Sequence, residues 1–171
     1  MTVYTTLGSP LGALLLVGEP SPTAKGGTAL TSLSVPGQKG GVAAADLAGR
    51  ARHDDAAFTD VARQLRAYFA GELTVFDIEF TTTGTAFQQQ VWKALETIGY
   101  GTTLTYADVA EAMGIPRTSS RAVGTAIGRN PLLVVRPCHR VVGAKGAITG
   151  YAGGVGRKRL LLDLEAGRGT V

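Results

Sequence analysis

Thr105-Tyr106-Ala107-Asp108-Val109-Ala110-Glu111-Ala112-Met113-Gly114-Ile115-Pro116-Arg117-Thr118-Ser119-Ser120-Arg121-Ala122-Val123-Gly124-Thr125-Ala126-Ile127-Gly128 holds two short helical patterns around a tight turn. Thr105 is placed to cap the first helix, with Asp108 at its third position. Val109, Ala110 and Met113 give that helix its apolar face, and Gly114 stops it. After Ile115-Pro116-Arg117, Thr118 or Ser119 is expected to cap a second helix that runs to Gly128. Two short helices joined through Gly and Pro match a helix-turn-helix.

The second helix of the pair is unusual. Base edges in the major groove are read by long polar side chains, and between Arg121 and Gly128 only Arg121 qualifies. Small residues allow a backbone to approach a shallow or narrow groove with weak sequence preference. They equally suit a helix buried against its neighbours, and both readings stand at this point.

Working outward, Thr85-x-x-Gln88 is a capping box, and Phe87, Val91, Leu95 and Ile98 form an apolar stripe. Downstream, Asn130-Pro131 ends the pair and Leu132–Val135 reads as a buried strand. Pro137-Cys138-His139-Arg140-Val141 follows, then a Gly-rich loop over 143–156 and a last amphipathic helix over 157–166. In the first half, strands are expected over 2–7 and 13–17, joined by Gly-Ser-Pro-Leu-Gly, with a third over 29–35. The stretch 37–49, rich in Gly and Ala, reads as a loop without assigned function. A helix from Asp54 or Asp55, with Val61, Leu65, Tyr68 and Phe69 at helical spacing, ends at Gly71, and Val75–Phe80 alternates as a strand. The fold class is therefore α+β: a small sheet with a helix over 1–82, and a mainly helical domain over 83–171.

The chain has 171 residues, 44% hydrophobic and 18% charged, a globular composition. No apolar run approaches the ~20 residues of a membrane span. Without a signal-peptide pattern at the N-terminus, and with one cysteine, a reducing, cytoplasmic setting is expected. One Cys and two His make a structural zinc site improbable, and no metal or cofactor is expected. The net charge of +4 is unevenly spread. From Ala112 to Leu162 there is no Asp or Glu, while Arg117, Arg121, Arg129, Arg136, Arg140, Lys145, Arg157, Lys158 and Arg159 fall within it. One sign of charge over a folded half-chain is the footprint of a polyanion partner, although a solvated basic face gives the same pattern.

The chemistry centres on Cys138. A proline precedes it, a histidine follows it, and it lies in the acid-free stretch, where positive potential lowers a thiol pKa. Nucleophilic cysteine chemistry uses the thiolate, and a nearby histidine base is the usual route to it. In an extended segment Cys138 and His139 would point apart and communicate through a water. A histidine base works better when a carboxylate orients it. Asp163 and Glu165 are the only carboxylates C-terminal to Cys138. Glu165 aligns with Leu161 and Leu162, so it is the favoured partner.

Pro137-Cys138-His139-Arg140-Val141 resembles the active-site signature of the O6-alkylguanine-DNA alkyltransferases. The resemblance extends from Phe87 to Glu165 through Phe87-Gln88-x-x-Val91-Trp92, the Tyr106 segment, Arg121-Ala122-Val123-Gly124, Asn130-Pro131, Tyr151-x-Gly153-Gly154 and Leu161-Leu162-x-x-Glu165. The first half is similar more loosely, through Ser9-Pro10-Leu11-Gly12 and Tyr68-Phe69-x-Gly71. The resemblance implies a ribonuclease-H-like N-terminal domain and a winged-helix-like C-terminal domain that binds DNA and carries the active site. It implies irreversible, single-use transfer of an alkyl group from O6 of guanine, and from O4 of thymine, to Cys138 after the damaged nucleotide is flipped out. His139 would then be the water-linked base, Glu165 its orienting acid, and Asn130 the brace of the active-site turn. Arg121 would enter the duplex in place of the flipped base, and Tyr106 would help rotate the nucleotide and bond the base. Ala122, Gly124, Thr125 and Arg129 would meet DNA. Tyr151, with the backbone of Val141 and Ala152, would line the guanine pocket.

Ala152 replaces a serine found in some members, leaving only its backbone N–H for O6. Some members hold an N-terminal zinc whose ligands this chain lacks. The expected partner is double-stranded DNA, met in the minor groove with little sequence preference by a monomer, with cooperativity along DNA left open. A non-catalytic sensor of alkylated DNA, a helix-turn-helix regulator and a cysteine hydrolase are the alternatives.

Overall fold

The computed structural model describes residues 1–167. Its first half is a four-stranded sheet of β1 (Val3–Ser9), β2 (Gly12–Pro20), β3 (Thr28–Ser34) and β4 (Arg52–His53), in the order β3-β2-β1-β4. β1 and β2 form a hairpin whose register runs from Val3↔Gly18 to Ser9↔Gly12, leaving Pro10-Leu11 as the turn. Gly12 takes a φ of 101°, a conformation open to glycine at little cost. β4 is too short to be visible as an alternating pattern, and it pairs parallel to β1.

The sheet buries both faces. Leu14 and Leu16 join the main core, whereas Leu15 and Val17 pack with Leu47 on the opposite side. The 37–49 segment therefore has a structural task that composition alone did not reveal: Leu47, on a one-turn helix over Ala44–Leu47, covers the outer face. A 3-10 turn capped by Asp54 leads into α1 (Thr59–Phe69), which buries Val61, Leu65, Tyr68 and Phe69 against the sheet.

The expected strand over Val75–Phe80 does not form. Only Phe80 bridges to Leu30, and the backbone at Asp77 is satisfied instead by the buried Gln64 side chain, at 2.7 and 2.9 Å. With its polar groups held that way, the segment has no ladder to join, and Val75 is 75% exposed.

The second half comprises α2 (Ala86–Leu95), β5 (Leu104–Thr105), α3 (Tyr106–Ala112), α4 (Ser120–Ile127), β6 (Val141–Val142) and α5 (Val155–Glu165). Both capping boxes form as expected, Thr85 with Gln88 and Thr105 with Asp108. Two details differ. Phe87 is 36% exposed and Trp92, not Phe87, fills the core, its indole N–H donating to the Ala126 carbonyl on α4 at 2.9 Å. Neither Thr118 nor Ser119 caps α4 with its side chain, because Arg117–Ser119 forms a 3-10 turn instead. Arg117 closes that turn by bonding Asp108 and Glu111 of α3.

Leu132–Val135 is a turn rather than a strand. Leu33 of β3 donates to the Pro131 carbonyl, and Leu133 donates to that of Leu33. Val134 has a φ of 69°, a costly conformation for a β-branched residue. Both halves share one core, which runs from Leu14 and Leu30 through Leu65 and Trp92 to Val123, Leu133 and Leu161.

Candidate active site

Cys138 opens a 3-10 turn over Cys138–Arg140, so the extended segment expected around it is replaced by a tight coil. The turn before it is fixed by Asn130. Its amide N–H groups donate to the Leu132 and Arg136 carbonyls, and its oxygen accepts from the Leu132 N–H and from Arg136 Nη1. These bonds of 3.0–3.2 Å hold Val134 in its unusual conformation and set the direction in which Pro137-Cys138 leaves the turn.

His139 is fully buried. Its Nε2 lies 2.7 Å from Glu165 Oε2, while its Nδ1 has no protein partner. Glu165 comes from α5, whose inward face is Lys158, Leu161, Leu164 and Glu165. The same carboxylate accepts from Tyr68 Oη at 2.5 Å, from Arg140 Nε and Nη2 at 2.8 and 3.0 Å, and from the Gly101 N–H at 3.3 Å. Although burial opposes ionisation, the bonds from His139 and Arg140 hold its carboxyl well below the usual range. Burial depresses His139, which is therefore neutral near pH 7. An ionised Glu165 can only accept, so Nε2 carries the hydrogen and donates it in the bond, and Nδ1 is left as a lone-pair acceptor in a buried site.

The thiol differs from expectation. Burial pushes Cys138 up, and the pull of Asn130, Lys158 and Arg136 does not offset it. The resting group is a thiol, which makes a base beside it necessary rather than optional.

The mouth of the site is a cleft of about 420 Å³ between α4 and the 149–152 loop, lined by Tyr106, Arg121, Gly124, Cys138, Tyr151 and Ala152 among others. Tyr106 lies against Gly124, where an added Cβ would come within 3.5 Å of its ring, and its hydroxyl donates to the Thr149 carbonyl. The Tyr151 hydroxyl is buried without a protein partner. Lys158, fully buried, donates to the Thr149 and Gly150 carbonyls at 2.7 and 3.1 Å, and burial pulls it down to about 8. Val141 does not line this cleft; it is buried in β6 opposite Leu104. On α4 the exposed residues are Arg121, Ala122 and Thr125, followed by Gly128 and Arg129 just beyond its end, and Gly124 is half-buried.

The acid-free stretch resolves into two groups. Arg136 and Arg140 are buried in ion pairs with Glu96 and Glu165, Arg117 pairs with α3, Arg157 donates to the Leu11 and Gly153 carbonyls, and Lys158 holds the loop. Only Arg121, Arg129, Lys145 and Arg159 remain as exposed cations without an ion pair among the described residues. Sequence alone missed that Arg140, Tyr68 and Lys158 serve the site. Arg140 was findable, being inside the Cys-His-Arg motif, but Tyr68 reads as one apolar position of a helical stripe.

A buried histidine–carboxylate pair one residue from a buried thiol, in a half that carries a helix-turn-helix, is the arrangement of a protein with a cysteine nucleophile. Comparison with known proteins agrees and narrows it. Residues 2–82 match the family model described as 6-O-methylguanine DNA methyltransferase, ribonuclease-like domain, and residues 86–167 match its DNA binding domain. A methylated-DNA–protein-cysteine methyltransferase of Mycobacterium tuberculosis is 46% identical over 98% of this chain and 94% of its own length. One of Methanosarcina acetivorans is 41% identical over 95% and 97%. A crystal structure of the M. tuberculosis OGT in complex with DNA superposes with a TM-score of 0.85 at 46% identity, covering 98% of this chain and 94% of that one. The chain belongs to the 6-O-methylguanine DNA methyltransferase family.

Proposed function

We propose that the chain, as one N-terminal domain over 1–82 and one C-terminal domain over 83–171, repairs alkylated double-stranded DNA by transferring the alkyl group from O6 of guanine, or O4 of thymine, to Cys138. The observation that carries the assignment of roles is the unpartnered Nδ1 of His139, one residue from the thiol, on a ring whose other nitrogen is committed to Glu165. A water between Nδ1 and the thiol takes the proton of Cys138 and passes it to the ring. The imidazolium then lies against the ionised Glu165. The thiolate attacks the alkyl carbon, the carbon–O6 bond breaks, and its electron pair stays on the guanine, which recovers the proton. The products are guanine and an S-alkyl cysteine, a thioether that thiol exchange cannot reverse. Each molecule acts once.

O6 lies inside the duplex, so the nucleotide is extruded before it meets the thiol. The exposed face of α4, with Ala122, Gly124 and Thr125, brings backbone close to a minor groove, where an inserted side chain can hold the gap. Arg121 supplies it. Tyr106 and Tyr151 flank the flipped base, and the Ala152 N–H serves O6. Binding is by a monomer, with little sequence preference, in the cytoplasm. The test is intact mass after incubation with duplex DNA carrying O6-methylguanine. A gain of one methyl group in the wild type and none in Cys138→Ser supports the assignment; a methyl group elsewhere on the chain overturns it.

A further inference from the structure

A second cleft of about 700 Å³ adjoins the thiol's mouth and shares Gly124, Thr125, Gly128, Tyr151 and Ala152 with it. Its far wall comes from the other half of the molecule: Ser32 and Ser34 of β3 and the loop over Gln38–Val42. Two cations line it, Lys39 and Arg129, and no Asp or Glu does. Both are exposed, and neither forms an ion pair among the described residues, unlike the arginines buried around Cys138.

The loop that carries Lys39 has a defined shape. Gln38 Oε1 accepts from the Val35 N–H, the Gln38 N–H donates to the Val35 carbonyl, and the Gly41 N–H donates to the Gln38 carbonyl. Gly37 and Gly40 take φ values of 72° and 73°. An added Cβ at Gly40 would meet nothing, so this glycine is required by its backbone conformation and not by crowding. The loop presents a lysine at a cleft where no carboxylate awaits it.

We propose that this cleft is a binding site for the phosphodiester backbone of the lesion-bearing strand on one side of the flipped nucleotide, with Lys39 and Arg129 as its cations. The inference rests on the proposed function. A nucleotide turned into the thiol's cleft stays bonded to both neighbours, so its strand leaves that cleft in two directions. One exit passes Arg121. The other passes Thr125 and Gly128 on the exposed side of α4, and this second cleft lies on that path. A strand there meets two unpaired cations and no carboxylate, a lining that suits phosphate. The N-terminal half thereby contributes directly to substrate binding.

Lys39→Gln and Lys39→Arg are made in the full chain, together with Lys39→Gln/Arg129→Gln. Duplex affinity is measured across salt, alongside transfer from duplex and from free O6-methylguanine. Neutralising Lys39 should lower the salt slope by about 0.9 and the double substitution by about twice that, with affinity at low salt falling roughly tenfold per cation. Lys39→Arg should retain both. Transfer from the free base should be unchanged in Lys39→Gln, whose melting temperature should match the wild type. A salt slope and affinity equal to wild type in Lys39→Gln, or equal losses on duplex and free base, would overturn the proposal. The affinity arm reads the cleft whether or not a methyl group moves, and wild-type transfer reads the proposed function, so the two fail separately.

Discussion

Tyr68 Oη donates to Glu165 Oε2 at 2.5 Å, across 97 positions of sequence, and so ties α1 of the first half to the carboxylate that orients His139. Burial and the neighbouring carboxylate push the Tyr68 phenol far up, so the group stays a donor at every working pH. Tyr68→Phe removes the hydroxyl with little change in shape. It should cost about 1.5–3 kcal/mol of stability, the range for a hydrogen bond to a charged group. Because Arg140 still holds Glu165, methyl transfer should persist at a reduced rate. Urea unfolding and single-turnover rates check both; an unchanged unfolding midpoint would remove the bond from the account.

A resting thiol needs a base, and the proposed relay assigns that part to His139. His139→Ala should slow transfer by ~100-fold or more, as expected for loss of a general base. It should also move the rate profile to higher pH, since a thiol raised by burial must then ionise unaided. Glu165→Ala strands Arg140 in the core, a change worth about 3–5 kcal/mol, so misfolding would mask the chemistry. Glu165→Gln keeps the shape and is the better probe. Equal rates and equal pH profiles in Glu165→Gln and wild type would dismiss the carboxylate from the relay.

Acid should destabilise the protein in two overlapping windows. His139 has a folded pKa below its unfolded value of 6.5, and Glu165 one below 4.5. In each window the unfolded chain binds the extra proton, so stability falls as pH falls. The His139 contribution is intact above pH 6.5 and erodes beneath it; that of Glu165 is intact above pH 4.5 and erodes beneath that. Urea midpoints at about pH 7.5, 5.5 and 4 should decline in order, and His139→Gln should flatten the upper part of the curve. A wild-type midpoint that rises on acidification contradicts the assigned charge states.

Arg121 stands at the start of α4, exposed at the rim of the thiol's cleft. If it holds the opened duplex, Arg121→Ala should slow repair of duplex O6-methylguanine by roughly 10-fold to 1000-fold, the value of a few kcal/mol of flipping energy. The free base needs no flipping and should react at nearly the wild-type rate. Equal losses on both substrates, with a lowered melting temperature, would make Arg121 a structural residue instead.

Local signals in the sequence match the structure where one residue type has one physical use. Thr85 and Thr105 cap because each has a glutamine or aspartate three positions on, and the Pro10-Leu11 hairpin follows from its turn residues. Spacing puts Glu165 on the inward face of α5 with Leu161, although Leu162, aligned with them in the sequence, is only half-buried. What escaped were features made by distant partners. Val75–Phe80 alternates like a strand, yet Gln64 takes its backbone bonds. Leu132–Val135 is apolar enough for a strand, yet Asn130 bends it. The basic stretch suggested one continuous footprint, whereas Arg136 and Arg140 meet Glu96 and Glu165, acids outside the stretch. The thiol departs from expectation for the same reason: the charges around Cys138 are legible in sequence and its burial is not.

The edge of β3 has a consequence for how the molecule can be divided. Leu30 bonds to residues 79 and 81, and Leu33 to residues 131 and 133, so one short strand clamps both the connection between the halves and the turn before Cys138. The half that holds every group of the proposed relay is thus built on a support it does not encode. A fragment beginning near residue 83 would keep Cys138, His139, Glu165 and Arg121. It would lose the hydrogen bonds that seat Leu133 beside the Val134 twist, and with them the bond from Tyr68. Modularity by sequence and modularity by mechanics part company here: the chemistry can be cut out of the chain, but its geometry cannot.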